Sequence, residues 1–169
     1  HLGGIFSLIE GNEIHHINTY GEFSGSELGG IKLHGAIDTV IRRNHIHHCH
    51  RGIWLDWQTQ GTRVSCNLFH DNHGEEDTRT SEDLYIEVSH GPALVDNNLF
   101  LSRFALRERS QGLAFVHNII AGPIDIGSSE GRFTPYHFPH GTDIMGCMTI
   151  NNGDDRFYNN IFIQPDLPE

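Results

Sequence analysis

Short stretches in which apolar residues alternate with other residues recur along the chain, and no long apolar stripe of helical spacing accompanies them. Gly52-Ile-Trp-Leu-Asp56 and Asp83-Leu-Tyr-Ile-Glu87 are two clear examples. A period of two is typical of a β-strand with one buried face. Each stretch ends in a carboxylate on the face opposite to the buried residues. We therefore predict an all-β fold that carries Asp56 and Glu87 on an outer surface.

A second pattern is a repeat in which an asparagine stands three residues after one apolar residue and two before another. The shortest step is the 20 residues from Asn98 to Asn118, and the longer steps indicate inserted loops. Asparagine suits a repeated corner because it tolerates left-handed backbone angles and can hydrogen-bond to the next asparagine. The repeated residues are Asn12, Asn44, Asn67, Asn98, Asn118 and Asn160.

This repeat predicts a right-handed parallel β-helix, a solenoid of about five to six coils with loop insertions, since coils of this length are typical of such folds. We expect one domain over residues 1–169, as a fragment of a longer chain. The alternative is an antiparallel sandwich with asparagine in its turns. A sandwich gives no reason for the same signature to recur.

Strand register follows from the same repeat, because an alternating strand begins 13 or 14 residues before four of the asparagines. As neighbours in one parallel sheet, these strands place Asp56 beside Glu87, with His34 and Arg107 on either side of the pair. Loops are predicted between the asparagine corners and these strands, at residues 21–30, 72–83 and 122–141. Loops at one edge of a rigid scaffold form the walls of a cleft. The four predicted strands are 31–34, 53–56, 84–87 and 104–107.

Two carboxyl groups in one column favour a specific chemistry. Neighbouring strands lie about 4.8 Å apart, closer to the roughly 5–5.5 Å of a retaining glycosidase than to the about 6.5–9.5 Å of an inverting one. Close like charges raise the pKa of one carboxyl, which can then act as a general acid. Trp54 and Tyr85 offer flat faces to a sugar ring, and His34 and Arg107 could hold its hydroxyl groups. The alternatives are simply solvated acids, or a non-catalytic carbohydrate-binding β-helix.

Composition excludes some partners. The chain has 22 Asp and Glu residues against 11 Lys and Arg, for a formal charge of -11. We expect no nucleic-acid partner because phosphate binding needs clustered cations. No apolar run approaches the roughly 20 residues of a membrane span, so no membrane partner is expected either. Three unpaired cysteines imply no disulfide framework. The ends of the chain leave localisation undetermined, and a homo-oligomer is left open.

A calcium-dependent polysaccharide lyase is another alternative for the carboxylate pair. Calcium needs several oxygen ligands, so further acids would have to join Asp56 and Glu87. Lys32 or Arg107 could then serve as the base. The acids available are Glu27, Asp83 and Glu108.

The histidine-rich run at residues 45–50 raises the question of zinc. Alternation puts His45 and His47 on the same side, and neutral imidazole suits zinc. However, this run coincides with a corner of the repeat, where other copies carry different residues, and we favour surface histidines. We predict neither a metal site nor another cofactor.

Three stretches together carry a resemblance to a known family: GIKLHGAID at 30–38, GIWLDW at 52–57 and DLYIEVSHGP at 83–92. They resemble the central β-helix of glycoside hydrolase family 120, the β-xylosidases, over about residues 25–120. The resemblance implies a retaining, exo-acting glycosidase whose substrate is an oligosaccharide ending in a β-linked sugar. It makes Asp56 the nucleophile and Glu87 the acid/base. The expected substrate-binding residues are Glu27, Lys32, His34, Trp54, Trp57, Tyr85, His90 and Arg107.

Two departures from the family pattern stand out. The run from His73 to Ser81 lengthens the segment between the two carboxylates, which would alter the leaving-group side of the pocket. The second, β-sandwich-like domain of the family has no counterpart in these residues. The reaction type is therefore better supported by the resemblance than the identity of the sugar.

Overall fold

A computed structural model of the protein describes residues 4–21, 27–74 and 81–163. The described chain is all-β, with strands that form three parallel sheets and one antiparallel pair. No helix within these ranges is long and apolar enough to cross a membrane. The predicted all-β class is therefore confirmed, and the parallel strands fit a β-helix.

The strands fall into sheets as follows. Sheet 1 contains β1 (Leu8–Glu10), β4 (Val40–Arg42), β7 (Thr62–Ser65), β10 (Ala93–Asp96), β13 (Leu113–Val116) and β18 (Arg156–Tyr158). Sheet 2 contains β2 (Glu13–His15), β5 (His45–His47), β8 (Leu68–His70), β11 (Leu99–Phe100), β14 (Ile119–Ile120) and β19 (Ile161–Phe162). Sheet 3 contains β3 (Ile31–His34), β6 (Ile53–Asp56), β9 (Leu84–Glu87), β12 (Leu106–Arg109) and β15 (Ile124–Ile126). Strands β16 (Ser129–His137) and β17 (Ile144–Ile150) form the antiparallel pair.

The chain visits sheets 1, 2 and 3 in turn, so each sheet receives one strand from every successive turn of the chain. Each strand pairs with its equivalent one turn earlier and one turn later, and all these pairings are parallel. Inward side chains of the three sheets fill one continuous core, which includes fully buried Ile53, Leu84 and Phe100. Burial of each such side chain stabilises the fold by about 1.5–3 kcal/mol relative to exposure.

The asparagine corners form a continuous ladder. In every step, the side-chain amide of one asparagine donates to the side-chain oxygen of the next, at 2.9–3.0 Å, from Asn12 through to Asn160. The predicted ladder is confirmed. The left-handed backbone angle, however, belongs to the residue before the asparagine, such as Arg43 at φ 55° or Cys66 at φ 55°. Asparagine occupies the corner for its hydrogen bonds, which satisfy buried backbone groups of the adjacent coils.

The predicted register of sheet 3 is confirmed for its first three strands: Ile31 pairs with Ile53 and Ile53 with Leu84. It is wrong by two residues for the fourth strand, which is β12 and not 104–107. The turn that follows β12 is residues 110–112, two residues shorter than the turn 88–92 after β9. Counting back a constant distance from the asparagine therefore placed the strand too early.

Of the three predicted loops, two are only partly described by the structure and the third contains strands. Half of 21–30 (residues 22–26) and half of 72–83 (residues 75–80) lie outside the described residues, and with the latter most of the insertion His73–Ser81. The segment 122–141 is not a loop, because it contains β15 and β16. The antiparallel pair β16–β17, which we call the hairpin, follows sheet 3 and folds back against the turns after β6 and β9. There, the Gln60 side chain donates to the carbonyl oxygen of His137 at 3.0 Å.

Candidate active site

Asp56 and Glu87 are the last residues of the neighbouring strands β6 and β9. The paired residues just before them, Leu55 and Ile86, point into the core and are almost fully buried. Successive side chains of a strand point to opposite faces, so both carboxyl groups lie on the outer face of sheet 3. The side-by-side arrangement predicted from the repeat is therefore present.

Asp56 is buried, with 3% of its surface exposed, and three nitrogen groups surround its carboxyl group. The Lys32 ammonium donates to Oδ2 at 2.6 Å, and the backbone N–H of Trp57 donates to Oδ1 at 2.7 Å. Nδ1 of His34, the residue paired with Asp56 on β3, lies 3.4 Å from Oδ2. These contacts fix the carboxyl group in one orientation next to a buried cation.

Lys32 joins Asp56 to a third acid. Its ammonium also forms an ion pair with Glu27, whose side chain is 46% exposed. The same ammonium lies 3.7 Å from the centre of the Trp54 ring. The predicted residues Glu27, Lys32 and His34 thus converge on Asp56, and the exposed Glu27 carboxyl opens this side of the site to solvent.

Glu87 has a different environment. Burial raises the pKa of its carboxyl, and the neighbouring Asp56 charge raises it further. A hydrogen bond from Tyr85 and the more distant Arg132 cation oppose this shift. The Trp54 indole N–H donates to Oε2 at 3.1 Å. The net result is a carboxyl that keeps its proton to a higher pH than an ordinary glutamate.

Trp54 and Tyr85 are much less exposed to solvent than their position on the outer face of the sheet suggested. The two rings stack with centroids 5.5 Å apart, and they are only 6% and 7% exposed. The guanidinium of Arg51 lies 4.4 Å from the Trp54 ring centre and 4.9 Å from that of Tyr85. Little of either face is left for a sugar. Both residues instead direct their polar atoms at Glu87, and we correct their role from sugar platform to support of that carboxyl.

Arg107 is not beside Glu87, as the register shift of β12 explains. It pairs with Tyr85, and its guanidinium lies 5.1 Å from that ring centre and 3.4 Å from a Glu82 oxygen. The residue that pairs with Glu87 is Arg109. Arg109 turns away to bind Asp125 at 2.7 Å.

The hairpin walls one side of the site and engages two further predicted residues. The Arg132 guanidinium lies 4.7 Å from the centre of the partly exposed Trp57 ring. His90 contacts Thr134 Oγ1 through Nε2 at 3.1 Å and the Gln111 side-chain amide through Nδ1 at 3.2 Å. Both ring nitrogens of His90 thus have protein partners, and the contact with Thr134 links His90 to the hairpin. The Trp57 ring, by contrast, remains partly exposed at the site.

Of the three acids considered for calcium, Asp83 and Glu108 do not converge on the pair, and Glu27 is ion-paired with Lys32. Asp83 is fully buried inside the coil, where its carboxyl accepts from the Asn72 side chain and the Ser102 backbone. Glu108 is buried against Ser110 and Asn152. Among the described residues, the clusters with metal-ligand geometry are made of histidines, with one aspartate in one of them. In the part of the chain that the structure describes, the several oxygen ligands that calcium requires are therefore not assembled around Asp56 and Glu87.

Sequence reasoning missed the buried ion pair beneath the two rings. Arg51 donates to Glu82 at 2.8 Å, and both side chains are nearly inaccessible to solvent. Each stands two residues before the strand that carries a site carboxylate, at an equivalent place in successive coils. A pair of opposite charges at matching repeat positions was a signal that the sequence offered.

The chain was compared with known proteins. A search of solved structures finds XylC in complex with xylose, with 47% sequence identity and a TM-score of 0.90. This chain is similar to XylC. The match covers 99% of this chain but 26% of the XylC chain, so the chain spans about a quarter of the length of XylC. No protein-family model matches the chain, and no curated protein does.

The similarity to XylC extends over almost all of the present residues. Two chains with this identity and this TM-score share their fold. XylC was solved with xylose bound.

Proposed function

We propose that this chain carries the catalytic centre of a retaining glycoside hydrolase that removes terminal β-linked xylose from oligosaccharides. The observation that carries the proposal is the pair Asp56 and Glu87, two adjacent outer carboxyl groups with different surroundings. The resemblance to family 120 β-xylosidases and the similarity to the xylose complex of XylC support the same assignment.

The two carboxyl groups divide the work as follows. Asp56, held by the Lys32 ammonium, attacks the anomeric carbon and forms a glycosyl ester while the bond to the leaving oxygen breaks. Glu87 donates its proton to that oxygen. In the second step Glu87 takes a proton from water, the water oxygen bonds to the anomeric carbon, and the ester bond to Asp56 breaks. Two inversions give net retention.

The pairing of β6 with β9 supports retention. Strands about 4.8 Å apart bring equivalent side chains close to the roughly 5–5.5 Å of retaining enzymes. The Asp56 charge is close enough to raise the pKa of the Glu87 carboxyl, which is consistent with the closer of the two arrangements.

The remaining site residues would bind the sugar. Glu27 is the exposed carboxylate at the open side of the site and would accept hydrogen bonds from sugar hydroxyls. Trp57 would stack on the ring, and His34, 39% exposed at its side chain, would contact a hydroxyl. Right-handed winding, five to six coils and a homo-oligomer stay predictions.

Replacement of Asp56 by glycine tests the proposal on an aryl β-xyloside. Turnover should be lost, and azide should restore part of it by attacking in place of the carboxylate, with an azide product of inverted configuration. Asp154→Gly is the matched control, because Asp154 is exposed and already has a positive φ of 57°. That variant should keep full activity.

Other outcomes would contradict the proposal. A binding module would bind xylo-oligosaccharides without any turnover in the unaltered chain. A lyase would lose activity with EDTA and release an unsaturated product that absorbs in the ultraviolet. An Asp56→Gly variant with undiminished turnover would remove Asp56 from the mechanism.

A further inference from the structure

A second cluster of titratable side chains lies on sheet 2, away from the carboxylate pair. Six histidines from β2, β5, β8 and the turns after β2 and β5 project from the outer face of this sheet, which we call the histidine face. Rings of successive coils stack on each other, with centroids 5.2 Å apart for His15 and His47 and 4.9 Å apart for His47 and His70. The histidine face consists of His15, His16, His45, His47, His48 and His70.

Three of these histidines converge. His45 and His47 lie on β5, and His70 lies on β8 of the next coil. Each offers one ring nitrogen, and the three nitrogens lie within 4.8 Å of one another. His45 and His70 face each other through their Nε2 atoms at 2.6 Å. We propose that His45, His47 and His70 form a three-histidine site for a divalent transition metal, with zinc as the best fit.

The geometry needs little adjustment to accept zinc. Zinc bonds to imidazole nitrogen at about 2.0–2.1 Å in a tetrahedron, which sets nitrogens about 3.3 Å apart. The present separations, from 2.6 Å to within 4.8 Å, bracket that value. Small rotations of the imidazole rings would bring the nitrogens to this separation. Three histidines leave the fourth position for water.

Carboxylates already orient two of the rings. Nδ1 of His70 lies 2.7 Å from Oδ2 of Asp71, so the N–H points to Asp71 and the Nε2 lone pair points towards His45. Nε2 of His47 lies 3.2 Å from Oε1 of Glu13. A carboxylate that accepts the second N–H of a ligand histidine fixes its tautomer and strengthens the metal bond.

The proposed site does not continue along the column of His45. In the register of sheet 2, His45 pairs with Leu68 on β8, and Leu68 pairs with Leu99 on β11, so the next two coils have leucine at this position. A metal held by β5 and β8 would therefore link two successive coils on a face separate from Asp56 and Glu87. The sequence favoured surface histidines because the run coincides with a corner of the repeat. The third ligand, His70, comes from a coil 25 residues further on.

Calorimetric titration of the metal-free full chain with Zn²⁺ tests the site. We expect one zinc per chain and a thermal midpoint raised by several degrees, since a ligand that binds only the folded state stabilises it. His70→Ala and, independently, His45→Gln should each weaken binding at least tenfold. His117→Ala is the matched control, because His117 is exposed on a turn outside the histidine face. It should leave binding unchanged.

Two further variants define the ligand set. Asp71→Asn keeps the ligands but loses the orienting carboxylate, and it should weaken binding about 10–100-fold. His48→Ala should leave binding unchanged, which distinguishes the proposed set from the neighbouring group His48, His70 and Asp71. No zinc binding by the folded chain, or binding that survives both His70→Ala and His45→Gln, would overturn the proposal. Circular dichroism of each variant checks that it remains folded.

Discussion

Asp56 and Glu87 occupy equivalent positions on neighbouring strands, yet their surroundings differ. Asp56 is nearly inaccessible and ion-paired with Lys32, and the Trp57 N–H donates to it. Glu87 is supported by the Trp54 indole and by Tyr85, and burial raises the pKa of its carboxyl. The same backbone scaffold thus provides one carboxyl next to a cation and one that retains its proton. A retaining glycosidase needs this division of roles.

The largest expected effect comes from removing the proton donor alone. Glu87→Ala should lower kcat/KM by about 10²–10⁴ for a xylo-oligosaccharide, since positioned acid–base catalysis contributes about that much. An aryl xyloside with an acidic phenol needs no protonation, and its first step should be nearly unchanged. Rates for both substrates check this. Equal losses on the two substrates would mean that Glu87 is not the acid.

Lys32 tests the other half of the comparison. Lys32→Met keeps the aliphatic stem over Trp54 but removes the cation beside Asp56. Loss of a charge-stabilising donor typically costs about 10²–10³ in kcat. His34→Ala, at a longer 3.4 Å contact, is the control and should cost less than tenfold. A Lys32→Met variant as active as the parent would show that Asp56 does not depend on the ion pair.

A smaller effect should appear in the pH dependence. As the acid, Glu87 must be protonated, so kcat/KM should fall as pH rises through its raised pKa. Tyr85 lowers that pKa through a hydrogen bond. Tyr85→Phe should therefore move the alkaline limb to higher pH, as expected for loss of a hydrogen bond to a charged group. Arg132→Gln should move it in the same direction but less. A shift to lower pH would contradict the role of Tyr85.

Substitution of buried acids outside the site should have the smallest effect on activity. These acids should instead affect the pH dependence of stability. Burial raises the pKa of Asp83 to about 7 and that of Glu108 to about 8. Because both pKa values lie above those of the unfolded chain, the stability that these protonated acids contribute is fully present below the unfolded pKa values of 3.8 and 4.5 and is lost as pH rises to about 8. Each group can contribute up to about 1.4 kcal/mol per pH unit within that window.

Urea unfolding between pH 4 and pH 9 measures this loss. Asp83→Asn should flatten the pH dependence of the unfolding free energy while leaving kcat/KM near its parent value at neutral pH. Asp38→Asn, a partly exposed acid, is the control and should keep the slope. An unchanged slope in Asp83→Asn would show that Asp83 titrates alike in the folded and unfolded chain.

The spacing of residues along the sequence predicted most features of the fold. The Asn12 to Asn160 repeat determined the corners and the ladder, and it fixed the register that sets Asp56 beside Glu87. It failed at β12, where a shorter turn exchanged Arg107 for Arg109 opposite Glu87. Turn length varies independently of the strands, so a constant count cannot detect such a change.

The sequence by itself therefore determined the strands, the inward columns and the two outer carboxyl groups, because these depend on alternation and on a repeat that is local to each coil. Only the tertiary structure decided which groups surround them. The Arg51 guanidinium covers Trp54, the hairpin brings Arg132 to Trp57, and His70 meets His45 across two coils. Such contacts join residues far apart in the chain, and they depend on insertion lengths and side-chain directions that no local pattern encodes.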